Sequence, residues 1–187
     1  TVGELGLAHQ RLDVGGNFGK TDTPEYSRMN PNRLVPTIDD NGFILWESHS
    51  IVRYLAGKYG KGVLWPMDER TRAVANQWMD WAFSFQGSVR DAFWNLIRTP
   101  AEKRDMKAVE ASRLKSGEMA KILDAALADR MYVAGAFSMG DIPSTTERKS
   151  GTMKNSPAWM RNWNRNVMSP PVSCLTASRT DLNKLPS

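Results

Sequence analysis

The sequence of 187 residues predicts an α/β unit followed by an all-helical one. Two observations carry that expectation. Over residues 1–60 the apolar spacing changes between strand and helix periods, in the order strand, helix, hairpin, helix. Beyond the stretch from Gly60 to Pro66 the strand signals stop, and apolar residues recur at helical spacing. The expected organisation is a domain over residues 1–60, a linker over 61–66 and a helical domain over 67–187, irregular over 144–156.

Taken in order, Val2, Leu5 and Leu7 read as the last turns of a helix that begins upstream of Thr1 and ends at Gly6. Ala8 to Val14 alternates around Leu12 and Val14 and is expected to be a strand. The loop GGNFGKT that follows imitates a phosphate loop, but Val14 stands where a glycine is needed five positions before Gly19. Pro24 also comes too early for the phosphate-loop helix, so a surface loop is expected. Thr23, Pro24 and Glu25 have the form of an N-cap and first turn, opening a short helix that Pro31 stops. Leu34–Asp39 and Phe43–Trp46 suit strands, and Asp40, Asn41 and Gly42 between them make a hairpin. Ser48 is expected to cap a helix that buries Ile51, Val52, Leu55 and Tyr59 and closes at Gly60 and Gly62.

Helices are then expected over residues 68–98 and 100–128, with a weaker one near 157–168. The first has Val74, Trp78, Trp81, Phe85 and Val89 on one stripe, with Met79, Phe83, Trp94 and Ile97 near the other side. Two apolar faces call for two burial surfaces, with core packing the ordinary fate of most of these aromatics. Gly87, inside that helix, is expected to mark a bend or close packing.

Composition excludes several classes. No run approaches the ~20 apolar residues that span a bilayer, and no signal region opens the sequence. A single cysteine, Cys174, cannot form an internal disulfide, and two histidines with it make a poor zinc set. The formal charge of +5 raises the question of a polyanionic partner. Divided along the chain, residues 1–60 carry −1, 61–140 carry +2 and 141–187 carry +4. In the middle segment the signs interleave, as in Glu102, Lys103, Arg104 and Asp105, which is a solvated helix face. The excess belongs to the last quarter, so no nucleic-acid partner is expected.

The most informative text is NPNRLVPTIDDNGFILWESHSIVRYL, from Asn30 to Leu55. Val35–Pro36 at a strand start is a candidate cis peptide, which would offer the Val35 N–H and C=O to an extended ligand as to an added strand. An ordinary trans proline is the commoner form. Glu47 and Ser48 fall where a strand meets a helix N-terminus, whose free N–H groups and dipole favour an anion. Ser48 could hold a carboxylate and Glu47 an ammonium, together an amino-acid zwitterion; Ser48 could equally just cap its helix. His49 has no further ligand at metal spacing and is expected on the helix surface.

These motifs resemble the cytosolic glutathione S-transferase family, in its bacterial or theta-like form. The resemblance rests on VPT at Val35–Thr37, FILWES ending at Ser48, IVRYL at Ile51–Leu55, Trp78 and Trp81, and YVAGAFSMGDIP from Tyr132 to Pro143. Within the last motif, Ser138 and Asp141 have capping-box spacing, a folding device rather than a ligand contact. The resemblance covers residues 1–143 and is weak beyond.

It implies a thioredoxin-like N-terminal domain lacking its first strand, followed by an all-helical glutathione-transferase domain. Val35 and Pro36 would hold the cysteinyl backbone of glutathione, and Glu47 with Ser48 its γ-glutamyl end. Arg33, by charge, is a partner for the glycyl carboxylate or an exposed loop arginine. The family conjugates the glutathione thiolate to a hydrophobic electrophile, in the cytoplasm, as a homodimer, with glutathione as co-substrate and no other cofactor or metal. The Tyr, Ser or Cys that assists the thiol is expected upstream of Thr1, so no catalytic residue is assigned within the chain. Two functions therefore stand: a conjugating enzyme, or a non-catalytic glutathione-binding or interaction module of the same fold. After Pro143, where a buried apolar helix would follow, STTERKSGTMKNS has Met153 as its only apolar side chain, so disorder or a damaged coding sequence is expected there.

Overall fold

A computed structural model of the chain describes residues 1–143, all within one compact unit. The expectations for 144–156, for a helix near 157–168 and for the surroundings of Cys174 lie outside the described residues. Helices α1 (Pro24–Met29), α2 (Ser48–Tyr59), α3 (Glu69–Phe93) and α4 (Met106–Ala126) accompany one hairpin, β1 (Thr37–Asp40) and β2 (Phe43–Trp46).

The opening residues form a turn, with the Leu5 N–H donating to the Thr1 carbonyl at 3.0 Å and Gly6 ending it at φ 60°. The strand expected over Ala8–Val14 does not form. Alternation is insufficient without a neighbour to take the backbone hydrogen bonds, and the sheet among the described residues contains β1 and β2 alone. Leu12 accordingly stands 74% exposed. The glycine loop closes on itself, its Gly15 N–H donating to the Gly19 carbonyl at 2.7 Å. That donor is spent internally, as befits a surface loop rather than a phosphate cradle.

Helix α1 starts as its sequence indicates: Thr23 Oγ1 accepts the Tyr26 N–H at 3.3 Å and Pro24 opens the first turn. The hairpin turns through Asn41 (φ 56°) and Gly42 (φ 89°), the left-handed pair that a two-residue connection needs. Its antiparallel register sets Thr37 opposite Trp46 and Asp40 opposite Phe43. Helix α2 buries Ile51, Val52, Leu55 and Ala56. Its cap is Glu47 rather than Ser48. Glu47, at φ 71° and ψ 114°, turns the chain out of β2, so helical geometry already begins at Ser48.

Asp68 caps α3 by accepting the Thr71 N–H at 2.8 Å. This helix buries Ala75, Trp78, Met79 and Ala82 and finishes in a π-helical turn, Trp94–Arg98. The helix expected from residue 100 starts later, at Met106, because Asp105 caps it through the Ala108 N–H (3.0 Å); Ala101–Lys103 is a separate 3-10 turn. Gly87 does not mark close packing, since a Cβ added there would meet open space. On the second apolar face of α3, Met79 is buried, whereas Phe83, Trp94 and Ile97 remain exposed, as does Phe93 beside them.

The core joins the two halves of the sequence. Val52 and Ala56 from α2, Leu64, Ala75 and Met79 from α3, and Met139 form one cluster; Trp78, Leu123 and Val133 form a second. A fully buried Leu64 or Met79 contributes about 1.5–3 kcal/mol through its apolar surface. Between α3 and α4 the buried Ser112 hydroxyl donates to the Ser88 carbonyl (2.6 Å) and accepts from the Ala92 N–H (3.3 Å). Near the end of the described chain, Ser138–Asp141 forms the capping box around a 3-10 turn. Gly140 is packed there so closely that a Cβ would sit 2.8 Å from the Ala75 carbonyl oxygen.

Candidate functional site

The hairpin register assembles the site. Thr37 pairs with Trp46, so the residues just past the ladder, Pro36 and Glu47, lie at the same end of the hairpin, and Ser48 follows as the first residue of α2. The Val35–Pro36 bond is cis. Val35 is 54% exposed, and neither its N–H nor its C=O is hydrogen-bonded among the described residues. An exposed residue with both main-chain groups unspent is equipped to pair with one residue of an extended peptide.

On the other strand, Glu47 holds its positive φ with an exposed side chain, a conformation that costs a non-glycine residue roughly 1–3 kcal/mol and is most often kept where the site uses it. Ser48 is half-buried and makes no side-chain cap. The first-turn N–H groups of this helix of 12 residues are therefore open to an anion, while Glu47 beside them offers a carboxylate to a cation. Arg33 stands two residues before Val35 in an exposed turn at φ 56°, its N–H donating to the Asn30 carbonyl at 3.0 Å. Its guanidinium forms no ion pair among the described residues, which leaves the charge available without placing it on a carboxylate.

Two polar residues that sequence reasoning missed lie beneath this end of the hairpin. Tyr26 and Asn30 are 9% and 2% exposed and bond to the main chain and hydroxyl that flank Val35. The TPEY opening of α1 showed a helix start, but nothing in it showed which way the phenol faces. His49 is a correction. It is 2% exposed rather than on the surface, tilted by 41° against Phe83 with ring centroids 3.9 Å apart, and neither ring nitrogen has a hydrogen-bond partner among the described residues. Its place one residue after Ser48 turns it inward, toward α3. Burial, with help from the nearby Arg53 charge, pushes its pKa below the ordinary 6.5, so the ring is neutral at pH 7.

Two sets of polar contacts tie α2 in place. Arg53 donates to Asn76 at 2.8 Å and pairs with Asp80, joining α2 to α3. At the far end, Asp40 of β1 accepts from Lys58 (2.7 Å), Tyr54 (2.8 Å) and Tyr59 (2.9 Å). Those donors, Lys58 first, pull the Asp40 pKa down to about 2. From Phe83 an open groove runs along α3, lined by Gln86, Gly87, Val89, Arg90 and Phe93, apolar but for one amide and one guanidinium. No group of three or more metal-ligating side chains occurs among the described residues.

Comparison with known proteins adds a second line. A family model for the N-terminal domain of glutathione S-transferase matches residues 2–58. Glutathione S-transferase GstB of Escherichia coli (strain K12) is 40% identical over 146 residues, covering 76% of this chain and 70% of that protein. The theta class glutathione S-transferase from the citrus canker pathogen Xanthomonas axonopodis pv. citri, solved with glutathione bound, superposes with a TM-score of 0.75 at 39% identity. That match covers 90% of this chain and 89% of the other. Glutathione transferase URE2P6 from Phanerochaete chrysosporium, solved with oxidized glutathione, gives 0.66 at 27% identity over 76% of this chain and 67% of that one.

Proposed function

Because the chain belongs to the glutathione S-transferase family, we propose that its residues 33–48 bind glutathione in extended form and present its thiol to a hydrophobic electrophile. Val35 pairs through its N–H and C=O with the cysteinyl residue, beside Pro36. The α-carboxylate of the γ-glutamyl end meets Ser48 and the first-turn N–H groups of α2, where the helix dipole favours it. Its ammonium meets Glu47. Arg33 takes the glycyl carboxylate.

The reaction is thiolate attack on an electrophilic carbon: the thiol proton leaves, a C–S bond forms, and the displaced electron pair departs with a leaving group or moves to an adjacent acceptor atom. The site residues named here bind and orient; none removes that proton. The groove on α3 from Phe83 to Phe93 suits an apolar electrophile, and exposed Trp94 and Ile97 suit a second copy of the chain in a homodimer. We read the setting as cytoplasmic detoxification, with glutathione as co-substrate and no further cofactor. No helix among the described residues is long and apolar enough to cross a membrane. The names of the relatives favour the conjugating enzyme over a non-catalytic module.

One observation carries the binding assignment: the unspent Val35 amide and the uncapped N-terminus of α2 share one end of the hairpin. Calorimetric titration with glutathione tests it. Glu47→Gln removes a charge-assisted contact and should weaken binding roughly 10- to 100-fold. Equal affinity in the variant would refute the assignment, and conjugation of a generic aryl halide by the wild-type chain separates enzyme from module.

A further inference from the structure

We infer that Tyr26 and Asn30 are positioning residues that aim the Val35 amide at the cysteinyl backbone of glutathione; the inference rests on the binding mode proposed above. The peptide unit between Leu34 and Val35 sets the direction of that amide. Val35–Pro36 is the cis bond in the described chain, so the preceding unit is trans and planar. In such a unit the C=O and the next N–H point in opposite directions. Whatever fixes the Leu34 carbonyl therefore fixes the direction of the Val35 N–H.

Two side chains fix it. The Tyr26 phenol donates to the Leu34 oxygen at 2.7 Å, and Asn30 Nδ2 donates to the same oxygen at 2.8 Å. A carbonyl oxygen has two lone pairs, and both are now used. With its one proton committed to Leu34, the phenol oxygen accepts from the Thr37 hydroxyl at 3.0 Å. Asn30 Nδ2 also reaches Thr37 Oγ1, at 3.2 Å. The orientation of the Asn30 amide is itself held, because its Oδ1 accepts the Asn32 N–H at 3.0 Å. Val35 is thus gripped from the residue before it and from Thr37 after Pro36.

The donors lie in the protein and the carbonyl faces them, so the Val35 N–H points the other way, to the exposed side where no group of the described chain meets it. Both side chains are buried, Asn30 at 2% and Tyr26 at 9% exposure. Helix α1 delivers them four residues apart, on one face, and the Asn30 N–H closes that helix on the Tyr26 carbonyl at 2.8 Å. An amide held in its binding direction spares the ligand the cost of ordering it, which is how preorganisation raises affinity.

Calorimetry with glutathione on the full chain tests this. Tyr26→Phe keeps the ring packing and removes one of the two donors. Its dissociation constant for glutathione should rise roughly 3- to 10-fold, the effect of one hydrogen bond. Thr37→Val removes the hydroxyl alone and should shift it in the same direction by less. Tyr59→Phe, a phenol removed from the Asp40 contacts, should bind as the wild type does. Thermal melting accompanies each titration, because a merely structural role would lower the melting temperature of Tyr26→Phe and leave its affinity unchanged. That result overturns the inference while the binding mode stands. A wild-type chain that does not bind glutathione overturns both.

Discussion

Replacing Asp141 by alanine offers the sharpest check on how the Tyr132–Pro143 segment is held. The Asp141 carboxylate accepts from the Val133 N–H at 3.0 Å, from the Ser138 N–H at 3.0 Å and from the Ser138 hydroxyl at 3.3 Å. All of these residues are buried, with Val133 at 2% and Ser138 at 1% exposure, so water cannot take over as partner. Asp141→Ala leaves two main-chain donors unmet, at about 1–3 kcal/mol each, for a total of roughly 2–6 kcal/mol. Against an ordinary domain stability of about 5–15 kcal/mol, that is a large fraction. Urea unfolding followed by tryptophan fluorescence is the assay, with buried Trp78 as reporter. With a slope of about 1–3 kcal/mol per molar urea, the midpoint should fall by roughly 1 M or more at unchanged slope. Asp141→Asn, which keeps one acceptor oxygen, should fall between the two. A midpoint for Asp141→Ala within about 0.3 M of the wild type would show that the carboxylate does not hold the Tyr132–Pro143 segment, and the energetic argument would fail.

The pH dependence of stability should show two separate losses. His49, with its pKa depressed in the fold, resists a proton that the unfolded chain accepts, so stability should decline as pH falls below 6.5 and level off below the folded-state value. His49→Leu should flatten melting curves compared between about pH 7 and about pH 5, and an unchanged slope would exclude His49 as the source. Asp40 adds a contribution that is complete above its ordinary value of 3.8 and lost as pH falls through about 2. Asp40→Asn should abolish that acid step in a circular dichroism titration; a wild-type-like step in the variant would assign it elsewhere.

The parts of the fold that could be read from the sequence are those set by neighbours along the chain. Thr23–Pro24–Glu25, the Asn41–Gly42 turn and the Ser138–Asp141 box each specify their own local geometry, and each forms as read. The Ala8–Val14 strand failed because a strand is a property of two segments, and alternation reports only one. The cap of α2 shifted to Glu47 because its positive φ cannot be seen in a residue type that seldom adopts it. Of the candidate site, Val35, Pro36, Glu47 and Ser48 stood out as a motif, and the register sets them at one end of the hairpin. Their support did not. The inward direction of Tyr26, Asn30 and His49 depends on packing against the hairpin and α3, which spacing within a short helix does not reveal. The close packing weighed for Gly87 is absent for the same reason, since its surroundings, open space, are set by other elements.

The hairpin turn deserves to be seen as a ruler. Asn41 and Gly42 stand at the opposite end of the ladder from Pro36 and Glu47, beyond all four residue pairs, or ~17 Å at the rise of a strand. Yet the length of the turn decides which residue of β2 comes level with Pro36, because a slip of one position would carry every side chain of the strand to the other face. An inserted residue there would leave both halves of the motif intact in the text and separate them in space. Tolerance of length change, usually generous in exposed turns, should therefore be low at this turn although it lies well away from Pro36 and Glu47.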